Sequence, residues 1–399
     1  MYIGKPSPPA ELVNRKHEVT ELVANLSNPR VNYCYALTGY RRVGKSSILL
    51  KVKDELTKKG IITVYFDVKE NASDPEFFLD QLGEAILVEC RAFLTLRQSM
   101  KSKAKTLHKQ IVKAFSTLKG IGTEITFNPD GTWSVMPKIE FGEERGREYA
   151  RPFKSVFNLS NELSDRVGRR IVVILDEFQD IMALAQFKGL KNIMDQFRGV
   201  LQSRGNVCYV ISGSRVHMLE ALLRDHSSPF YMHFKEMQVK ELDKDFAKVL
   251  FSKTVLSRGI VSDDLDRASE DAVRLVGGHP FYLMVLAEQW DGRTPLKEVL
   301  NRLLRGPTGP IYLYANYVLA EDLSKARGGP VLRRIVIALA REPLTFSQIA
   351  RAIQKRQTSI GFYLEQLARF DVIRKDEAGR YLLVDRVIAE SIMASSGPT

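Results

Sequence analysis

Apolar residues recur along this chain in two rhythms, and the two rhythms alternate. Residues 33–37, 61–67, 170–175 and 206–212 are short, nearly unbroken apolar runs. Such runs mark strands buried on both faces of a parallel sheet. Between them apolar positions fall at helical spacing. Leu12, Val19, Leu22, Val23 and Leu26 line one face of a helix expected over residues 11–26. Further helices are expected over 47–56, from Asp74-Pro75 to about 118, over 144–167 and over 190–203. Pro75 suits a first helical turn, where its missing N–H costs nothing. Strands alternating with helices predict an α/β fold, a parallel sheet with helices on both faces.

Three stretches leave this rhythm. Residues 124–136 alternate in polarity around Asn128-Pro129-Asp130-Gly131, a hairpin signal, and read as an insertion near 121–141. From 242 to about 327 the pattern is helical throughout, which predicts a small helical lid. The last segment carries helices at 331–340, 343–353 and 358–368, then a strand, the turn Asp376–Gly379 and a strand. Three helices and a hairpin predict a winged helix-turn-helix. The expected domains are therefore 1–240, 241–328 and 329–394. The lysine-rich stretch around Lys101 to Lys119 is a second basic region, and the tail after Ser395 reads as disordered.

The chemistry sits at two strand ends. Residues 39–46 read G-x-x-x-x-G-K-S: Gly39, Tyr40, Arg41, Arg42, Val43, Gly44, Lys45, Ser46, followed by Ser47. Placed between a strand and a helix, this is a phosphate-binding loop. Its glycines let backbone N–H groups point inward, and the helix N-terminus adds a positive dipole end. Lys45 is then placed to reach β- and γ-phosphates, and Ser46 to hold Mg²⁺. The run 170–175 ends in Asp176 and Glu177. Ligands of parallel sheets lie at carboxyl strand ends, so Asp176 is expected in the Mg²⁺ shell. Glu177, one residue on, is expected to orient or deprotonate an attacking water.

Composition narrows the partners. The net charge of +12 points to anionic partners such as nucleic acid, or to a generally basic, solvated surface. Cys34, Cys90 and Cys208 are scattered in apolar surroundings without metal-ligand spacing, as in a reduced, cytoplasmic protein. No apolar run approaches the ~20 residues of a membrane span.

With both phosphate motifs placed, the chain resembles the archaeal ATPase family of P-loop NTPases, in the STAND-type branch near AAA+ and the origin-recognition ATPases. Four features carry the resemblance: Val13-Asn14-Arg15 with Glu18, the loop 38–47, Leu175-Asp-Glu-Phe-Gln179, and Ser212-Gly-Ser214. The resemblance implies ATP and Mg²⁺ as cofactors, Asn14 and Arg15 beside the adenine, and Pro280 of Gly278-His279-Pro280 coupling the lid to the base. Many relatives carry an arginine after a Ser-Pro-Leu-Tyr string. Here residues 228–234 put Met232 or His233 in its place, and Arg215 is the arginine that would sense the γ-phosphate or, alternatively, an exposed helix-start residue. Two readings follow. One is an ATP-hydrolysing, DNA-associated ATPase whose winged helix binds double-stranded DNA through Arg333, Arg334, Arg341, Arg351, Lys355, Arg356 and the polar Gln357, Thr358 and Ser359. The other is a slow-turnover nucleotide switch whose winged helix docks a protein partner or a second copy.

Overall fold

A computed structural model of the chain describes residues 5–99, 122–127, 133–138, 148–226, 228–305, 308–324 and 326–395. Its first seven strands are β1 (Cys34–Thr38), β2 (Ile62–Asp67), β3 (Gly122–Phe127), β4 (Trp133–Lys138), β5 (Ile171–Asp176), β6 (Val207–Gly213) and β7 (Phe234–Gln238). Five of them form one sheet in the order β2-β5-β6-β1-β7, with every pairing parallel. The register aligns the strand ends: Asp67 lies opposite Asp176, and Thr38 opposite Gly213. β6 therefore separates the strand that feeds the phosphate loop from the strand that ends in the acids.

The helices of this part are α1 (Lys16–Ser27), α2 (Lys45–Lys58), α3 (Val68–Asn71), α4 (Pro75–Ser99), α5 (Ala150–Val167), α6 (Ile193–Ser203) and α7 (Val216–Arg224). Alternation along β1 assigns them to two faces. Tyr35 and Leu37 point to one face, where Leu22, Leu26, Ile48 and Val52 of α1 and α2 close over them. Cys34 and Ala36 belong to the other, packed with α4, α5 and α6 through Leu82, Phe157 and Phe197. Phe178, the residue after Glu177, stacks 5.1 Å from Phe197 and 5.8 Å from Phe230. That aromatic contact pins the turn that carries the acid. All three cysteines are buried and unpaired. Burial pushes the Cys34 thiol up to about 11 and Cys90 to about 12, so both stay protonated.

Five helices follow: α8 (Lys244–Ser257), α9 (Leu265–Val276), α10 (Pro280–Gln289), α11 (Leu296–Arg305) and α12 (Pro310–Ser324). They share a core of their own, including Phe251, Leu283, Leu286, Leu300 and Ile311. Then come α13 (Gly329–Arg341), α14 (Phe346–Ala352), a 3₁₀ turn Gln357–Ser359, α15 (Gly361–Arg369), the antiparallel pair β8 (Ile373–Lys375) and β9 (Tyr381–Leu383), and α16 (Arg386–Ser395). Thr345 opens α14 with a full capping box to Gln348. Leu332, Ile335, Ile349, Leu364 and Ile373 fill this last core.

Several boundaries differ from the sequence expectation. α1 starts at Lys16 rather than 11, because Asn14 and Arg15 take left-handed backbone with φ of 61° and 68°. The third C-terminal helix splits into the 3₁₀ turn and α15. β7 and α16 were not anticipated. β3 and β4 form a separate antiparallel hairpin beside α4, where the insertion was expected. The lysine-rich stretch 101–119 and residues 144–147 lie outside the described residues, as does the tail after Ser395. Among the described residues no helix is long and apolar enough to cross a membrane.

Candidate active site

The loop between β1 and α2 is shaped by two glycines with different duties. A Cβ on Gly39 would stand 2.4 Å from the Val239 carbonyl oxygen, so only glycine lets the loop pass that edge. Gly44 takes φ 103°, a conformation L side chains rarely adopt, and caps α2. Arg15 holds the loop from below: its guanidinium donates to the Val43 carbonyl at 2.9 Å and the Lys240 carbonyl at 2.6 Å. Lys45 is buried, and its Nζ donates to the carbonyls of Gly39 at 2.9 Å and Tyr40 at 3.1 Å. Burial lowers its pKa, an effect that the nearby carboxylates of Glu177 and Asp176 oppose.

The acids stand opposite. Asp176 is buried; it accepts from the Tyr65 hydroxyl at 2.5 Å, from the Ser212 hydroxyl and from the Glu177 amide. Glu177 takes left-handed backbone at φ 49°, which turns it out of the strand. Its Oε2 accepts three bonds: Gln179 Nε2 at 2.5 Å, Ser214 Oγ at 2.7 Å and the Ser214 amide at 3.2 Å. Its Oε1 takes no donor from a described residue. Burial alone would raise this carboxyl's pKa, but the Lys45 charge and these bonds outweigh burial and hold it below the ordinary value. Glu177 is thus a carboxylate with one oxygen committed and one open.

Between these groups lies a cleft of about 320 Å³. Arg41, Arg42, Gly44, Lys45, Ser46, Ser47, Glu177, Ser214, Arg215 and Pro280 all line it. Six basic side chains (Lys5, Arg41, Arg42, Lys45, Lys69, Arg215) face three acidic ones (Glu177, Asp180, Glu321), so the cleft favours an anion. Arg215 Nη2 is buried and has no hydrogen-bond partner among the described residues. Asn14, Arg15, Gly39, Tyr40, Val43 and Asp176 do not line the cleft. Arg15 is spent on backbone carbonyls, a structural use that the expected place beside a base did not foresee. Met232 is exposed at 82%, and neither it nor His233 reaches the cleft.

The helical part closes the far side. Phe281, Met284, Tyr314, Tyr317 and Val318 give that end an apolar and aromatic wall. The Arg42 guanidinium lies over the rings of both Phe281, at 4.1 Å, and Tyr314, at 4.2 Å, which themselves stand 4.6 Å apart. Arg41 pairs with Asp322 at 2.7 Å and Glu321 at 3.3 Å. His279 Nε2 bonds the Arg41 carbonyl at 3.1 Å, and burial lowers its pKa, so it stays neutral. Gly278 lets this segment approach, since a Cβ there would stand 1.9 Å from the Leu242 carbonyl oxygen. At the N-terminus the Ser7 amide donates to Ser47 Oγ at 2.9 Å, laying residues 5–7 along the cleft. Met284, Tyr314, Tyr317 and Val318 carried no sequence signal, because they come from distant segments without a motif.

A Mg²⁺ ion fits the donor set present. Ser46 lines the cleft and offers a hydroxyl oxygen, which suits a hard cation; Asp176 lies behind the lining and would reach the ion through water. No cluster of three or more His, Cys, Asp or Glu among the described residues forms a protein-only metal cage. An ion here depends on phosphate oxygens and water for its remaining ligands.

A parallel sheet whose glycine loop, buried lysine and strand-end acids converge in this order defines a P-loop NTPase. The chain belongs to the family described as an ATPase domain predominantly from Archaea, whose model matches residues 12–286. No curated protein matches the chain. Among solved structures it is similar to the Walker-type ATPase PABY2304 of Pyrococcus abyssi, at 21% identity and TM-score 0.66, covering 98% of this chain and 99% of that one. Weaker likenesses include the Aeropyrum pernix ORC2 protein in its ADP form, at 11% identity and TM-score 0.47, covering 100% and 97%. The Thermotoga maritima RuvB Holliday junction branch migration motor gives 12% and 0.41, covering 94% of each chain.

Proposed function

We propose that this protein binds ATP with Mg²⁺ in the cleft between sheet and helical part, hydrolyses it, and associates with double-stranded DNA through its C-terminal helices. One observation carries the hydrolysis reading: Lys45, Glu177 and Arg215 come from three strand ends and line one basic cleft. The loop amides and Lys45 bind the phosphates. Ser46 would hold the Mg²⁺ directly and Asp176 through water, and the ion would neutralise phosphate charge when bound. Glu177, kept ionised by Lys45, accepts a hydrogen bond from the attacking water through Oε1. Its lowered basicity makes it an orienting group more than a proton sink. Arg215 supplies the donor for charge that develops on the γ-phosphate. Arg215→Ala is therefore expected to lower kcat roughly thirtyfold, within the range for a hydrogen bond to a charged group, and to change ATP affinity far less. Steady-state hydrolysis beside nucleotide titration checks this; equal rates would return Arg215 to a packing role.

The DNA reading rests on the C-terminal helices and their hairpin, read as a winged helix-turn-helix. Arg333, Arg334, Arg341, Arg351, Lys355, Arg356, Arg374, Lys375 and Arg380 are all exposed there. So are Gln357, Thr358 and Ser359, at the start of the third helix, where groove-reading helices make their contacts. Reversing Lys355 and Arg356 to glutamate is expected to weaken duplex binding for all sequences alike. The slope of log affinity against log salt should fall by about 1 per lost phosphate contact. Fluorescence anisotropy across a salt series measures both; an unchanged slope would move the nucleic-acid surface elsewhere.

The clasp of Arg41 and Arg42 on the helical part favours a second reading, a nucleotide switch that turns over slowly and docks a protein partner. Turnover that stays slow with and without duplex DNA would support it.

A further inference from the structure

Arg215 is an unusual residue at a helix start. It occupies the N-cap position of α7, where a short polar side chain normally accepts from the first amides, and it makes no such cap bond. The missing acceptor comes from the far end of the chain. Asp371, in the turn between α15 and β8, accepts from the His217 amide at 3.2 Å and 3.3 Å through its two carboxylate oxygens. The His217 ring Nδ1 contacts the same carboxylate. Asp371 takes left-handed backbone at φ 57° to present this group, and its side chain is 6% exposed. The residue before it, Phe370, lies under the Arg215 guanidinium at 4.9 Å. One two-residue turn thus supplies both the cap of α7 and the surface on which Arg215 rests.

We infer that Phe370 and Asp371 are positioning residues for Arg215, so that hydrolysis in the cleft depends on the C-terminal helices being docked. This rests on the reading of the cleft as a site of ATP hydrolysis. The physical reason is that a buried guanidinium with one unpartnered nitrogen has few contacts to fix its direction. The ring face holds its plane, and the carboxylate fixes the helix start that carries it. Tyr40 of the phosphate loop, Ser214, Phe370 and Asp371 also share the wall of an adjoining cavity of about 380 Å³. The turn therefore lies beside the loop as well as beside the arginine. A partner that pulls the C-terminal helices away would remove both supports at once and slow turnover without touching the nucleotide.

The test uses the full-length protein and steady-state ATP hydrolysis, with nucleotide affinity and thermal melts alongside. Phe370→Leu keeps apolar bulk and loses the ring face. It should lower kcat about tenfold, between the values for an exposed and a fully desolvated cation–ring contact, with KM for ATP within about twofold. Phe370→Tyr should keep the wild-type rate. In an Arg215→Ala background Phe370→Leu should cause no further loss, because its effect passes through the arginine. Asp371→Ala should behave like Phe370→Leu. Equal slowing by Phe370→Leu in the wild-type and Arg215→Ala backgrounds, or no slowing at all, would overturn the proposal while leaving the hydrolysis reading intact. A wild-type protein without turnover would overturn both.

Discussion

Glu177→Gln is expected to leave ATP bound and to slow its hydrolysis by at least ~10²-fold, the loss typical of a water-orienting or general-base group. The hydrogen bonds around the acid make this substitution unusually clean. Three donors converge on Oε2, from Gln179 and twice from Ser214. A glutamine can turn its carbonyl oxygen to those donors and keep the turn intact. Its NH₂ group then replaces Oε1, and the one open acceptor becomes a donor. A water that must be oriented by donating to the protein loses its partner, while the three hydrogen bonds at Oε2 survive and only the charge pairing with Lys45 is given up. Asp176→Asn should separate from this, since its expected effect is weaker Mg²⁺-dependent binding. Single-turnover hydrolysis with nucleotide affinity measured in parallel distinguishes the two. A Glu177→Gln protein that turns over at the wild-type rate would place the water elsewhere.

The part of the site legible in the sequence was the part written in consecutive residues. The phosphate loop and the apolar run ending in Asp176 and Glu177 each combine a local pattern with a strand context, so their position at the sheet's carboxyl edge followed from the pattern. The acid-bearing turn also carried its own anchor, Phe178, which the aromatic cluster holds. What stayed hidden was assembled across distance. Met284, Tyr314 and Glu321 line the cleft from helices far along the chain, and nothing in their own segments marks them as more than core or surface. β7 was missed because an edge strand with half-exposed residues, Phe-Lys-Glu-Met-Gln, lacks the apolar run of the central strands. α16 was legible in principle: Val387, Ile388 and Ser391 fall at helical spacing and are buried. Arg15 shows a use that the sequence does not display: with left-handed backbone at 14 and 15, its guanidinium donates to the Val43 and Lys240 carbonyls and braces the loop.

Lys45→Ala is expected to abolish turnover and to weaken ATP binding by about 10²-fold, the loss of a strong hydrogen bond between charged groups. Lys45 has three N–H donors, and two are committed to the carbonyls of Gly39 and Tyr40. The third remains for a phosphate oxygen, so the residue joins the loop's shape to its ligand. Removing the side chain strands the buried Gly39 carbonyl, a cost of ~1–3 kcal/mol, and leaves the part-buried Tyr40 carbonyl to water. It also removes an ammonium whose burial lowers its pKa, and relief of that desolvation offsets part of the loss. The folded state should therefore survive, and a melting curve near wild type would separate lost binding from lost structure. A second consequence reaches Glu177. The Lys45 charge is the largest influence opposing burial there, so in the mutant burial pushes that carboxyl's pKa up. The sign follows: a depressed carboxyl contributes stability above its unfolded pKa and loses it as pH falls through the folded value. Without Lys45 that contribution shrinks, so the stability lost through Glu177 is largest near neutral pH and the gap to the wild type narrows as pH falls. Nucleotide titration together with acid melts reads both effects. Unchanged affinity and hydrolysis in Lys45→Ala would remove the phosphate loop from the mechanism.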